Sequence, residues 1–235
     1  MIKKIDIMGI QLDNYTVREA IRQVEAYLSD NVLNTIESIS MQMLLEAEQD
    51  EVVKEVVDSL DLSVIGEKEI LQAAGVATMQ RVKETEENDF AIEFFKRIER
   101  NKKSLFILGD TDSRIEHARE DLVREVPKLE IVGEYAVENC VGNLEAVIND
   151  MNVMAPDVIM SILPTPMQEH FFLEHRDKMN ANIWYGVGSL GTSGKHRGMK
   201  NFFQRMMHLG RLKNSMNKYQ DSDALEKTLE DEEHA

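Results

Sequence analysis

The stretch DVIMSILPTPMQEHF, residues 157–171, constrains the fold of this chain more than any other. Val158 to Leu163 are apolar apart from Ser161, the length of a central strand and too short for a typical helix. Pro164 and Pro166 then end any strand ladder, because proline has no N–H to contribute. Pro166 also stands where a helix favours proline, at its first position. A strand breaking directly into a helix is half of a βα unit. In an open parallel α/β sheet, ligands gather outside the carboxyl ends of the strands, so Gln168 and Glu169 are expected at a binding site. The plainer reading of Glu169 is that it complements the dipole of its helix.

Apolar runs alternate with helical patterns along the rest of the chain, which predicts repeated βα units and a mainly parallel sheet flanked by helices. The expected strands are residues 5–8, 34–40, 62–65, 104–108, 129–132, 158–163 and 183–187. Thr16 and Glu19 form a capping box that opens a helix running to about Ser29. Residues 41–59 carry a helical apolar stripe with one irregularity near Asp50, and helices are expected over 90–99, 113–126, 143–154 and 166–179. Residues 199–219 combine a Met/Phe stripe with Lys and Arg, the pattern of a basic amphipathic helix weakened at Gly210. The acidic segment after Gln220 has little to bury and is expected to be disordered.

With 235 residues, 43% of them apolar, the chain can bury about 70–75% of its unfolded surface without staples. The single cysteine, Cys140, cannot form an internal disulfide, and a reducing compartment fits it. MIKKIDIMGIQLD turns polar too early for a signal peptide, and no apolar run approaches the roughly 18–20 residues of a membrane span. A cytoplasmic protein is expected, at most peripheral to a membrane. The net charge of −16 conceals an asymmetry. Between Lys178 and Gln220 there is no Asp or Glu, while eight of the 27 Lys and Arg fall there, leaving 19 against 43 acids elsewhere. Nucleic acid is a poor partner for such a chain. A local contact with phosphates or an anionic membrane surface through Arg197, Arg205, Arg211 and Lys213 fits better, the alternative being a solvated face paired with the acidic body. The histidines show no metal-ligand spacing, and neither a GxGxxG nor a Walker A sequence is present, so no metal and no cofactor are expected.

Several segments in this order share the pattern of one enzyme family. KIDIMGIQLDNYTVREAIRQVEAYL at 4–28 is similar to an opening strand, G-x-x-x-D turn and first helix. SLFILGDTDSRIEHAREDLVREVPKLEIVG at 104–133 is similar to a second mononucleotide-type unit, ending as in "YPxLxIVG". The Pro-x-Gln-Glu turn, the IWYGVGSLGTSG stretch at 183–194 and HRGMKNFF at 196–203 complete the set. Over roughly residues 2–210 the chain resembles the WecG/TagA/CpsF glycosyltransferases. The resemblance implies a Rossmann-like domain over 1–197, the basic helix over 198–220 and the acidic tail over 221–235. It implies inverting transfer of a hexosamine-type sugar from a UDP-sugar to a polyprenyl-diphosphate-linked acceptor, in teichoic acid or other surface-polysaccharide synthesis. Gln168 and Glu169 match the family's Gln-Glu pair. Arg81 aligns with its "ERVxGxD" segment and would offset a phosphate. Ser38 and Ser40 stand where Thr and Asn are usual, and Gly186 and Gly188 lie in its "GVGG" turn, where backbone amides can approach a ligand.

The departures are as informative. Where the family carries an Asp in "DLVLPDGxG", expected to be its catalytic base, this chain reads DLSVIGEKEIL with Ile65 at that position. Glu67 and Glu69 are the candidate replacements. The Phe-Asp of "GVGGxFD" is absent, and Asp110 and Asp112 occupy a turn usually built from glycine and small residues. Two readings follow: a glycosyltransferase with a relocated base, or a catalytically degenerate homolog that binds a nucleotide sugar or serves as a regulatory or scaffolding subunit. Pairing with a second copy or with a related glycosyltransferase is compatible with either.

Overall fold

The computed structural model describes residues 3–188, 211–212 and 214–219. Six parallel strands form the central sheet: β3 (Asn34–Ile39), β4 (Leu62–Ile65), β5 (Ser104–Gly109), β6 (Glu130–Ala136), β7 (Val158–Ser161) and β8 (Ile183–Gly186), in the order β4-β3-β8-β7-β5-β6. The α/β class and parallel sheet read from the sequence are those of the structure. β1 (Lys4–Ile7) and β2 (Ile10–Asp13) form a separate antiparallel hairpin. The sequence reading missed β2. Its turn, Met8-Gly9, has positive φ at both residues (54° and 79°), the two-residue hairpin geometry, but lacks the Asn-Gly signature that advertises it.

The helices are α1 (Val17–Tyr27), α2 (Met41–Glu46), α3 (Glu51–Asp58), α4 (Lys68–Ala73), α5 (Met79–Glu86), α6 (Asp89–Arg100), α7 (Asp112–Glu125), α8 (Glu145–Met154) and α9 (Met167–His175). The Thr16 capping box forms as expected. The single helix expected over 41–59 is two, because the Asp50 carboxylate accepts hydrogen bonds from Val52 N and Val53 N and starts a new helix. Short helices α4 and α5 went unrecognised, being too brief and too polar to show a stripe. The stripe read over 199–219 falls mainly outside the described residues, as does the acidic tail; of it, 211–212 and 214–219 are helical.

Alternation along the strands divides the core into two layers. Ile36, Ile107, Met160 and Tyr185 face α1, α6 and α7, while Phe106, Ile159 and Trp184 face α3, α8 and α9. Connections that move toward β4 run over the α3/α8/α9 face and those that move toward β6 over the other, the arrangement parallel crossovers require. A third cluster packs the β1–β2 hairpin on Ile39, Ile65, Leu44 and Ile70, with Leu212 added from the C-terminal helix. No helix among the described residues is long and apolar enough to cross a membrane.

Candidate functional site

β3 and β8 are neighbours in the sheet but run on in different directions: β3 turns into α2, and β8 leaves at Val187. Such divergence opens a crevice at the carboxyl edge of a parallel sheet. A cavity of about 1000 Å³ lies there, reaching under α5 and α6 to α7. Its polar lining at the strand ends consists of Asp13, Tyr15, Ser38, Ser63 and Arg81, with the Gly66 backbone beside them. Phe90, Met160, Ile162 and Val187 supply apolar wall, and the side toward α5, α6 and α7 is mixed with charged side chains.

Arg81 is the cation of this cavity that the sequence anticipated. It stands on the first turn of α5 and is only 8% exposed. Its Nη1 reaches Glu84 Oε2 at 3.4 Å, a loose ion pair, and its buried Nε has no partner. Burial pulls the guanidinium pKa down, and Glu84 opposes that shift. A buried, incompletely paired guanidinium is prepared to receive an anion. The surroundings are acidic, however: Glu84, Glu86, Glu87, Asp89, Asp121 and Glu125 also line the cavity, against Arg81 and Arg124.

Asp13 was not singled out beforehand, although it is the Asp of the G-x-x-x-D turn. It is buried at the end of β2 and pairs with Lys4 Nζ at 2.9 Å. It also exchanges bonds with β4: Ser63 N donates to its Oδ2 at 3.0 Å, and its own N–H donates to Ser63 Oγ at 2.6 Å. These bonds fasten the hairpin to the sheet and leave a carboxylate edge on the cavity. Ser38 faces the same cavity, with its hydroxyl 3.0 Å from that of Tyr185, whose phenol pKa burial drives well above its usual value.

The other anticipated residues fall elsewhere. Ser40 caps α2 by accepting from Met43 N at 3.1 Å. Glu67 accepts from Met41 N at 3.1 Å, so its carboxylate links the ends of β3 and β4. Glu69 lies in the first turn of α4, half-buried. Ile65, 4% exposed, lines the cavity on one side and packs into the hairpin cluster on the other. Arg211 is exposed; with Lys218 it borders Glu46 at the end of α2 and Glu48 just beyond it, and Ser215 Oγ donates to Glu48 Oε2 at 2.9 Å. Arg197, Arg205 and Lys213 lie outside the described residues. At the β5–α7 turn, Asp112 N donates to Glu138 Oε1 at 2.7 Å and Arg114 pairs with Asp110 at 3.0 Å, so the start of α7 is already met by the chain's own carboxylates.

Gln168 and Glu169 are both fully buried on the inner side of α9, on the sheet face opposite the cavity. Gln168 Nε2 donates to Glu37 Oε1 at 3.3 Å, and Thr165 Oγ1 donates to Glu169 Oε1 at 2.9 Å. Desolvation raises the pKa of Glu37 well above the usual carboxylate range, with Glu169 adding to the rise; desolvation likewise raises Glu169. Gly186 makes this assembly fit. A Cβ there would stand 2.6 Å from Gln168 Nε2 and 2.8 Å from Glu37 Cγ. The absent side chain leaves room for two others. Gly188 has φ +54°, the left-handed region that favours glycine, and sits over the Leu163 carbonyl. Among the described residues no three His, Cys, Asp or Glu side chains are grouped to hold a metal ion.

An all-parallel sheet with a partly polar crevice at its carboxyl edge defines the Rossmann-like class of small-molecule-binding domains. Residues 5–206 match the glycosyl transferase WecG/TagA/CpsF family, and the chain belongs to that family. Among curated relatives it is similar to the N-acetylglucosaminyldiphosphoundecaprenol N-acetyl-beta-D-mannosaminyltransferases of Staphylococcus aureus strains NCTC 8325 / PS 47 and MRSA252. Each is 19% identical over 187 residues, which cover 79% of this chain and 73% of the relative.

Gly186→Ala tests the packing directly. Overfilling a tight core costs about 1–3 kcal/mol, so the urea midpoint of the variant is expected to fall. An unchanged midpoint would mean that Glu37 and Gln168 can step aside without loss.

Proposed function

We propose that this chain transfers a hexosamine-type sugar from a UDP-sugar to a polyprenyl-diphosphate-linked acceptor, at the cytoplasmic face of the membrane, in cell-wall or surface-polysaccharide synthesis. The observation that carries the reading is Arg81: a buried guanidinium with an unpartnered Nε, in a crevice at the carboxyl edge of the sheet, within the segment matched to the family. In the proposed reaction the acceptor hydroxyl oxygen bonds to the anomeric carbon as the bond from that carbon to the UDP oxygen breaks. The configuration inverts, UDP leaves with the electron pair, and the hydroxyl proton passes to a base. Arg81 balances charge on the diphosphate, where fixed cations stabilise a leaving group most effectively. Asp13 and Ser38 take sugar hydroxyls from the cavity wall. Gln168 and Glu169 do not reach the cavity; from the opposite face Gln168 backs the Gly186–Gly188 edge that the donor meets, with Glu169 beside it.

Glu67 is the favoured base. It follows Ile65 and Gly66, which line the cavity, directly at the end of β4, where its carboxylate accepts from the Met41 amide. Glu69 is the second candidate. Ile65 supports the rival reading: it sets hydrocarbon against the cavity where the family resemblance expects a carboxylate, and the surrounding acids oppose a diphosphate. Under that reading the chain binds a nucleotide sugar, or partners a related glycosyltransferase, without turnover.

UDP-N-acetylhexosamine is expected to raise the melting temperature, and Arg81→Ala to remove most of the rise. In a transfer assay with a lipid-diphosphate-linked acceptor, Glu67→Gln is expected to cost a factor of about 10²–10⁴ while donor binding persists, the usual effect of removing a base. Full activity in the Glu67→Gln, Glu69→Gln double variant would overturn the assignment of the base. Donor binding without transfer by wild type would establish the rival reading.

The acceptor lipid stays in the bilayer, so a weak contact between the basic segment and an anionic leaflet belongs to the same proposal. Each Lys or Arg near such a surface contributes about 1 kcal/mol, screened by salt. Cosedimentation with anionic but not neutral vesicles at low salt is expected, lost when Arg205, Arg211 and Lys213 are changed to Glu. Indifference of wild type to anionic vesicles would leave the segment paired with the acidic body.

A further inference from the structure

Glu37 has no part in the family resemblance and does not line the cavity, yet it is a carboxyl buried completely in β3. Ile36 and Ser38 on either side face the α1/α6 layer, which turns Glu37 to the α9 layer beneath Gln168. No cation among the described residues pairs with it. The titratable group acting on it is Glu169, which is itself influenced by His170 and by Asp50 at the start of α3. The Trp184 indole N–H leans toward the carboxyl from β8 and favours its charged form, but the two do not close a hydrogen bond: Trp184 Nε1 and Glu37 Oε2 are both left without a partner.

The hydrogen-bond inventory shows what is missing. Glu37 Oε1 accepts from Gln168 Nε2, while Glu37 Oε2 and Gln168 Oε1, the other halves of the same two planar groups, are buried and unpartnered. Both are acceptors, so neither can satisfy the other. A proton on Glu37 Oε2 would convert one of them into a donor, the complement that a second bond between the two groups requires. A carboxylic acid then meets an amide through two bonds, N–H to C=O and O–H to O=C. An isolated buried carboxylate in this place would carry a large desolvation cost with no cation to offset it.

We propose that Glu37 is held as a neutral carboxylic acid that grips the side-chain amide of Gln168 through two hydrogen bonds, and is thereby the positioning residue for Gln168. The positioning role rests on the reading that Gln168 supports the Gly186–Gly188 edge of the donor site; the protonation itself does not. Gly186 is the third part of the device, since any Cβ there would occupy the space of the pair. When Glu37 ionises, the second bond is lost and two carboxylates face each other across the layer. The folded protein binds a proton that the unfolded chain releases above the ordinary Glu pKa of 4.5. This stabilisation is therefore complete below that value and is lost as pH rises through the folded-state pKa.

Trp184 is the only tryptophan of the chain and lies beside Glu37, so its fluorescence provides a local readout. Titrating the full-length protein from pH 4 to 9 should show a transition with its midpoint well above 4.5, and this transition should be missing in Glu37→Gln, which keeps a neutral donor and acceptor at the site. The melting temperature of Glu37→Gln relative to wild type should rise with pH over the same window. An identical fluorescence transition in the variant, or a Glu37-dependent midpoint in the ordinary carboxylate range, would overturn the neutral acid. A separate measurement tests the positioning role: UDP-N-acetylhexosamine should bind about tenfold more weakly to Glu37→Leu than to wild type at pH 6, with near-wild-type binding in Glu37→Gln. Equal binding in all three would remove that role. Should wild type not bind the donor at all, the proposed function fails while fluorescence still decides the state of Glu37.

Discussion

Insertion of β8 between β3 and β7 is the constraint on which the rest of the molecule depends. Without Ile183–Gly186 the sheet is two separate pieces, β4-β3 and β7-β5-β6. Four residues make the join, and each is buried. Trp184 fills the layer under α9 and stacks near Phe171 and Phe172, while Tyr185 fills the opposite layer among Phe90, Phe94 and Phe95. Gly186 contributes only space, and the space is taken by Glu37 and Gln168. The strand that closes the sheet therefore also seats the polar pair of the α9 layer.

The same join creates the crevice. β3 and β8 part at their carboxyl ends, and the cavity forms where Ser38, the end of β4 and Val187 diverge. Its chemistry is divided. Arg81 is buried and incompletely paired, which suits an anion, but a row of carboxylates from α5 to α7 surrounds the same space. At the β5–α7 turn the division is resolved against anions, because Glu138 already occupies the α7 amide. Arg81 is thus the better placed of the two for a phosphate, while Ile65 sets hydrocarbon against the same cavity.

Much of the fold was legible because strong local signals agreed with the tertiary structure. The apolar run at Val158 formed β7, which stops at Ser161 ahead of its prolines, and the Thr16 capping box formed where the spacing placed it. What escaped depended on single side chains or on partners distant in sequence. Asp50 divided a continuous apolar stripe by capping a new helix, and the hairpin turned on Met8, an unusual residue for positive φ. The site was half legible. Arg81 reached the cavity, but Asp13 became part of it only through Ser63, fifty positions away. Glu37 stood in a strand recognised by its apolar neighbours, and its burial depends on a glycine and an amide from the other end of the chain. No local pattern shows such a group.

The central claim is that the donor occupies the crevice between β3, β4 and α5 and couples through β8 to Gln168. Hydrogen–deuterium exchange with and without UDP-N-acetylhexosamine tests it most directly. The account predicts slower exchange at residues 38–41, 64–67, 79–84 and 186–188, with the β5–α7 turn unchanged. Protection confined to residues 109–115, or none anywhere at saturating donor, would contradict it.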